Sequence, residues 1–407
     1  MDVKIDQMVY KGSGLARLDE GGIIFVPFTL PDEIVSIDDV YERNGVQTAL
    51  PKKIVSASAD RIVPKCPYYG ICGGCQYQHI NYSAQLIIKK TILSEQLERV
   101  GSLKNIEENQ FLASSRDYNY RNHVQFHFDP EGKTGFQKAL SHDVIAVDEC
   151  LIAEESINRL LKTIQFEPGT GIERVSVRDD GIGTPLISLT GSSNNPPEFE
   201  VDFPLNVVYR SKAGDIVLSG DGANLFSIKG KDFQVSAGSF FQTNNDIAEK
   251  MVELIESLAE IDNHSTVVDC YCGVGFFSRF LAGRAGRLIG IESSEDACND
   301  FAVNLDEFDN VELYQGAAEL ILPQLNVKPD LVVVDPPRAG LAPVAMKALM
   351  KSKPRQIIYV SCDPATLSRD LKIMVAEGYL IDSITPVDMF PQTYHIESIT
   401  NLKRFSR

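Results

Sequence analysis

The chain has 407 residues, 43% hydrophobic and 23% charged, which excludes a disordered or fibrous protein and leaves room for two or three domains. Lysine and arginine number 39 against 56 aspartates and glutamates, a formal charge of −17 that argues against indiscriminate binding of a polyanion. No stretch approaches about 18 continuous apolar residues, and residues 1–10 lack a basic segment followed by an apolar one. The protein is therefore expected to be neither secreted nor membrane-spanning but cytoplasmic.

In residues 1–58, short β-branched runs such as Ile23-Ile24-Phe25-Val26 alternate with Gly12-Ser13-Gly14 and Gly21-Gly22, which predicts a small β-barrel. A second region, 59–230, opens on a Gly/Cys/Tyr-rich knot from Cys66 to His79. An amphipathic helix is predicted over 83–100, strands at 123–128, 144–147 and 216–218, and a helix near 152–164. In the third region, 231–407, helices (247–258, 276–282, 296–305) alternate with continuous apolar strands (266–270, 288–292, 311–314, 331–334, 356–361). That alternation predicts an α/β domain built on a doubly wound parallel sheet.

The first parallel strand runs into Asp269-Cys270-Tyr271-Cys272-Gly273-Val274-Gly275, where glycines allow a tight turn and free amides at a helix start face a ligand. Glu292 ends the next strand, placed to accept hydrogen bonds from ribose hydroxyls. With only two glycines and an acidic residue before the loop, the pattern suits S-adenosylmethionine better than a dinucleotide. Asp335-Pro336-Pro337-Arg338 then sets a carboxylate at the carboxyl end of a strand. In many amino-group methyltransferases a similar motif ends in an aromatic residue that holds the amine; the arginine here disfavours an exocyclic amine as acceptor. Cys362 follows the next strand just before a predicted helix, whose amides are expected to lower its thiol pKa and favour a nucleophilic thiolate. Glu397, in a strand-like run, is a candidate general base for the same crevice.

Cys66, Cys72 and Cys75, at spacings of six and three, together with Cys150 supply four soft thiolates. These suit an iron-sulfur cluster or tetrahedral zinc, which spacing does not separate. Residues 61–150 carry no net charge, so a local basic face is expected around Lys65, Lys89, Lys90, Arg116 and Arg121, with Tyr118, Tyr120 and His123 beside the arginines for unstacked bases.

Taken together, these motifs resemble the RNA uridine C5 methyltransferase family, which makes 5-methyluridine in ribosomal and transfer RNA. Phe240-Phe241-Gln242-Thr243-Asn244 is similar to its aromatic-aromatic-glutamine motif, Asp269 to Gly275 to its cofactor loop, Asp335-Pro336-Pro337-Arg338 to its carboxylate motif, Ser361-Cys362 to its nucleophile and His395-Ile396-Glu397 to its base. The resemblance implies a Rossmann-like class I methyltransferase domain, an N-terminal TRAM module (an OB-like barrel), and a mostly β central domain holding a 4Fe-4S cluster on Cys66, Cys72, Cys75 and Cys150. It further implies Cys362 as nucleophile and Glu397 as base, with Gln242 and Asp335 holding the pyrimidine or the cofactor. Asp269, Tyr271, Gly273 and Glu292 would hold S-adenosylmethionine. The implied partner is RNA, 23S ribosomal RNA ahead of transfer RNA, and no obligate protein partner is indicated. A non-catalytic RNA-binding iron-sulfur protein is the reading from another class; intact Cys362, Glu397, Gln242 and Glu292 argue against it.

Overall fold

The computed structural model describes residues 1–405 except 19–20, 44, 105, 107, 130, 140, 165–169, 182 and 199–203. Eight short strands come first: β1 (Asp2–Lys4), β2 (Gln7–Met8), β3 (Ser13–Arg17), β4 (Ile23–Pro27), β5 (Ile34–Ile37), β6 (Tyr41–Arg43), β7 (Val46–Thr48) and β8 (Pro51–Ser56). They form two small sheets, in the orders β1-β5-β8 and β2-β3-β4-β7-β6. Alternate residues of β1, β3, β4 and β5 point inward, so Val3, Ala16, Ile24, Val26, Val35 and Ile37 fill one shared core.

The knot leads into α1 (Tyr82–Arg99), whose first turn is capped by the Asn81 side chain accepting from the Ala84 amide. A mixed seven-stranded sheet comes next, built from β9 (His123–Phe128), β10 (Thr134–Gln137), β11 (Val144–Ala146), β12 (Ile172–Arg178), β13 (Leu186–Gly191), β14 (Asn206–Ser211) and β15 (Gly214–Ser219). Its order is β11-β10-β9-β12-β13-β14-β15, with α2 (Glu155–Thr163) burying Ile157, Leu160 and Leu161 in the same core. A hairpin, β16 (Ala223–Ile228) and β17 (Lys231–Ser236), turns at Lys229-Gly230. Its Phe226, Ile228, Phe233 and Val235 join the core of the C-terminal region, so the hairpin belongs physically to that region and not to the sheet before it.

The C-terminal region comprises α3 (Asn245–Leu258), β18 (Thr266–Cys270), α4 (Ser278–Leu281), β19 (Arg287–Glu292), α5 (Glu295–Asn304), β20 (Val311–Gln315), α6 (Ala318–Ile321), β21 (Leu331–Val334), α7 (Pro343–Ser352), β22 (Gln356–Ser361), α8 (Pro364–Ala376), β23 (Tyr379–Val387) and β24 (Glu397–Arg404). The sheet order is β20-β19-β18-β21-β22-β24-β23. The first five strands are parallel, as the apolar runs predict, whereas β24 pairs antiparallel with both β22 and β23. The chain order reverses between β18 and β21, and a crevice for ligand opens at the carboxyl ends of such strands.

Two interior contacts tie the parts together. Ile92, Leu93 and Leu97 of α1 share a core with Leu367, Leu371 and Met374 of α8. Lys89 also points inward, pairing with Asp388 at 2.6 Å with both side chains fully buried, and it donates to the Phe390 carbonyl at 3.0 Å. Asp388 in turn accepts from the Tyr82 hydroxyl at 2.8 Å. Removing one partner of so deep a pair strands a charge and costs about 3–5 kcal/mol. This corrects the expected basic face: Lys89 is an interior cation, and Lys90 turns its ammonium onto the Glu108 and Asn109 carbonyls. Lys65 and Arg116 remain exposed, with the Lys65 ammonium 4.5 Å over the Tyr118 ring. Among the described residues, no helix is long and apolar enough to cross a membrane.

Candidate active site

The cofactor loop leaves β18 through two residues in left-handed backbone, Tyr271 (φ 64°) and Gly273 (φ 54°). The Tyr271 and Cys272 amides hold the turn by donating to the Ile291 carbonyl on β19. Two residues on, Gly275 lies so close to α5 that a Cβ would collide with Leu305 and Phe301, which accounts for the second glycine. Glu292 accepts from the Gly273 amide at 3.0 Å, from the Ser293 and Ser294 amides and from the Ser293 hydroxyl, so its carboxylate is aimed mainly by backbone. Asp269 is buried: one oxygen accepts from the Ser278 hydroxyl at 2.6 Å, and the other has no partner. Burial, opposed by that hydroxyl and reinforced by Glu292, raises its carboxyl to about 7.

Asp335 follows β21 on the neighbouring strand end, and burial together with the Asp269 charge raises it likewise to about 7. Gln242 is buried beside the cap of α3, its carbonyl accepting from Asn122 at 3.0 Å. The turn that precedes it, Ser236 to Ser239, is held from two sides. Asp300 of α5 accepts from the Ser236 and Ser239 hydroxyls, and Arg178 of β12 donates to the Ser236 and Ser239 carbonyls. Neighbouring Phe240 is left 66% exposed, an aromatic ring facing solvent next to a buried amide.

The antiparallel entry of β24 brings the two reactive candidates together. Ser361 pairs with Ser398, so one step further along this register Cys362 leaves β22 opposite Glu397, although 35 residues separate them in sequence. Burial raises the Glu397 carboxyl to about 8, with the Asp335 charge adding to it and Arg338 and Lys89 opposing. Burial also raises the Cys362 thiol to about 12, reinforced by Glu397 and Asp335 and opposed by Arg338.

That last shift corrects the expectation for the thiol. The first amides of α8 do not reach it, because the Asp363 side chain takes those of Ala365 at 3.0 Å and Thr366 at 2.9 Å. The cap leaves Cys362 among carboxylates. Sequence reasoning also passes over Arg338 as the site's own cation, though it stands in the Asp-Pro-Pro-Arg motif itself, with its guanidinium 3.3 Å from the His395 ring.

The four cysteines of the knot and beyond gather as well. Cys66, Cys72, Cys75 and Cys150 line one cavity of about 210 Å³, with Arg121, Tyr68, Tyr69 and Phe136 completing its wall. Among the described residues, no group of three or more His, Cys, Asp or Glu side chains is arranged to hold a metal ion. Arg121 links this cavity to the reactive loop, since its guanidinium lies 5.7 Å over the Phe390 ring.

Residues 197–405 match the family model described as tRNA (Uracil-5-)-methyltransferase. An uncharacterized RNA methyltransferase of Aquifex aeolicus is 34% identical, with 99% of this chain and 98% of that protein aligned. The chain belongs to the tRNA (uracil-5-)-methyltransferase family. It is accordingly an RNA (uracil-5-)-methyltransferase. A further family relative, an uncharacterized RNA methyltransferase of Thermotoga maritima, is 31% identical over all of this chain and 99% of its own. Among solved structures, the tRNA (uracil-54, C5)-methyltransferase of Pyrococcus abyssi in complex with S-adenosyl-L-homocysteine superimposes with a TM-score of 0.76. It shares 25% identity and covers 99% of this chain and all of that one.

Proposed function

We propose that this methyltransferase modifies carbon 5 of a specific uridine in RNA, 23S ribosomal RNA first, through a covalent adduct on Cys362. The observation that carries this reading is the register placing Cys362 opposite Glu397 at the carboxyl ends of the sheet. Bound S-adenosylmethionine would supply an electrophilic methyl carbon on a positively charged sulfur. The site suits it: Asp269 offers an unpartnered buried oxygen, Glu292 keeps lone pairs for ribose hydroxyls, and Asp335 adds a further carboxyl on the neighbouring strand end.

Carbon 5 of uracil is a poor nucleophile, which is why a thiolate is needed. As the thiol proton is lost to solvent, the Cys362 sulfur bonds to carbon 6 and pushes the double-bond electrons toward the carbon 4 oxygen. Carbon 5 becomes nucleophilic and takes the methyl group. Glu397 then removes the carbon 5 proton, the double bond re-forms, and the carbon–sulfur bond breaks. Gln242 suits the pyrimidine edge, and exposed Phe240 offers a stacking face for a base drawn from its helix, at a cost of roughly a few kcal/mol. Arg338 offsets the charge that Asp335 and Glu397 impose on the thiol.

Transfer RNA is the second reading, favoured by the whole-length likeness to the Pyrococcus enzyme. Incubating the protein with labelled cofactor and separate 23S ribosomal and transfer RNA transcripts, then locating 5-methyluridine by mass spectrometry, decides between them. Label confined to transfer RNA overturns the ribosomal target, and label in neither overturns both.

Cys66, Cys72, Cys75 and Cys150 would hold a 4Fe-4S cluster, whose irons take four thiolates; the fit rests on four soft donors around one cavity. Anaerobically purified protein is expected to contain equal iron and acid-labile sulfide and to lose both in Cys75→Ser. Zinc without sulfide would refute the assignment.

A further inference from the structure

The turn between β2 and β3 leaves the N-terminal sheets and reaches the reactive crevice. Tyr10 stands at its tip, and Lys11 (φ 76°) and Gly12 (φ 85°) fold the chain back behind it. The Tyr10 hydroxyl donates to Asp363 Oδ2 at 2.6 Å across 353 residues of sequence. Asp363 directly follows Cys362, and its other oxygen is the cap of α8. The peptide carrying the nucleophile is thus gripped on both oxygens of one carboxylate. In the other direction the Tyr10 ring stands edge-on to Tyr394 at 6.4 Å between centroids. A Cβ on Gly12 would lie 3.2 Å from the Tyr394 Cβ and 3.3 Å from the Tyr77 ring, so the turn is closed tightly onto the segment that leads into β24 and Glu397.

We infer that Tyr10 is a positioning residue for methyl transfer, holding the Cys362–Asp363 peptide and the Tyr394–Glu397 segment at the separation that base and nucleophile need. This rests on the reading of Cys362 as nucleophile and Glu397 as base. The N-terminal sheets are then part of the reactive crevice as well as a flanking module. Burial and the Asp363 carboxylate keep the Tyr10 hydroxyl protonated, so it remains a donor throughout the working pH range.

The test compares wild type, Tyr10→Phe, Asp363→Asn and the double variant on ribosomal and transfer RNA transcripts containing 5-fluorouridine. The rate of covalent capture is measured at saturating RNA, alongside the RNA dissociation constant and the melting temperature. Tyr10→Phe is expected to slow capture about ten- to hundredfold, the worth of a hydrogen bond to a charged group, while RNA affinity stays within about twofold. The double variant is expected to be no slower than the slower single one, because the two residues act through one bond. Capture at the wild-type rate by Tyr10→Phe overturns the inference, as does a loss confined to RNA affinity or melting temperature. Capture by Cys362→Ala, or none by wild type, instead overturns the nucleophile reading beneath it.

Discussion

Replacing Cys362 with alanine is expected to reduce methylation by about four orders of magnitude or more, since no other described side chain opposite Glu397 offers a nucleophile to carbon 6. The loss should be chemical in origin. Cys362 lies just beyond the last residue of β22, outside its ladder, so melting temperature and S-adenosylmethionine affinity by calorimetry should stay close to wild type. The companion measurement uses RNA containing 5-fluorouridine, from which the base cannot remove fluorine as it removes a proton. Wild type is therefore expected to stall as a protein–RNA adduct stable in denaturant, and Cys362→Ala to form none. Undiminished methylation by Cys362→Ala would remove the covalent route from consideration.

Glu397→Gln separates the two halves of the reaction. The amide keeps the carboxyl's shape but accepts no proton at carbon 5, so one methyl group should transfer and the RNA should remain attached. Turnover is expected to fall about 10²–10⁴-fold, with denaturant-stable adduct accumulating on ordinary uridine RNA and carrying label from the cofactor. A variant that turns over normally would assign the base elsewhere. The pH dependence follows from the raised carboxyl. Only its ionised form is a base, so wild-type activity should climb as pH rises through about 8, and that limb should vanish in Glu397→Gln. Stability runs the opposite way. Between the unfolded value of 4.5 and about 8 the folded chain keeps a proton that the unfolded chain has lost, so folding stability drains away as pH rises through that window. Melting temperature should therefore decline less steeply with pH in Glu397→Gln than in wild type, and parallel declines would contradict the buried neutral acid.

The parallel strands are legible in sequence because each is an unbroken apolar run bounded by polar residues; the ranges 266–270, 331–334 and 356–361 agree with β18, β21 and β22 to the residue. The helix predicted over 276–282 shortens to Ser278–Leu281, because Cys272 to Phe277 are spent on the cofactor turn. The tail hides its topology. A strand-like run around Glu397 is visible, but nothing in its pattern says that it inserts antiparallel beside β22, and only that insertion places the Glu397 carboxyl opposite Cys362. Lys89 misleads for a related reason. A lysine at helical spacing reads as surface, and its burial is decided by Asp388, 299 residues away. Tyr10 carries no motif at all, and its role depends wholly on where a turn of one fold meets the crevice of another.

The place of β24 also orders events during synthesis. It lies between β22 and β23, both of which leave the ribosome before it, so the finished sheet demands that a late segment slot in beside strands already made. A nascent chain stopped short of residue 397 would hold residues 269–275 and the thiol yet lack Glu397, the group proposed above to release product. Such a chain could at worst trap an RNA and could not turn over, so catalytic competence arrives in one late step of folding. Slow pairing over long sequence separations is then tolerable, because nothing active precedes it.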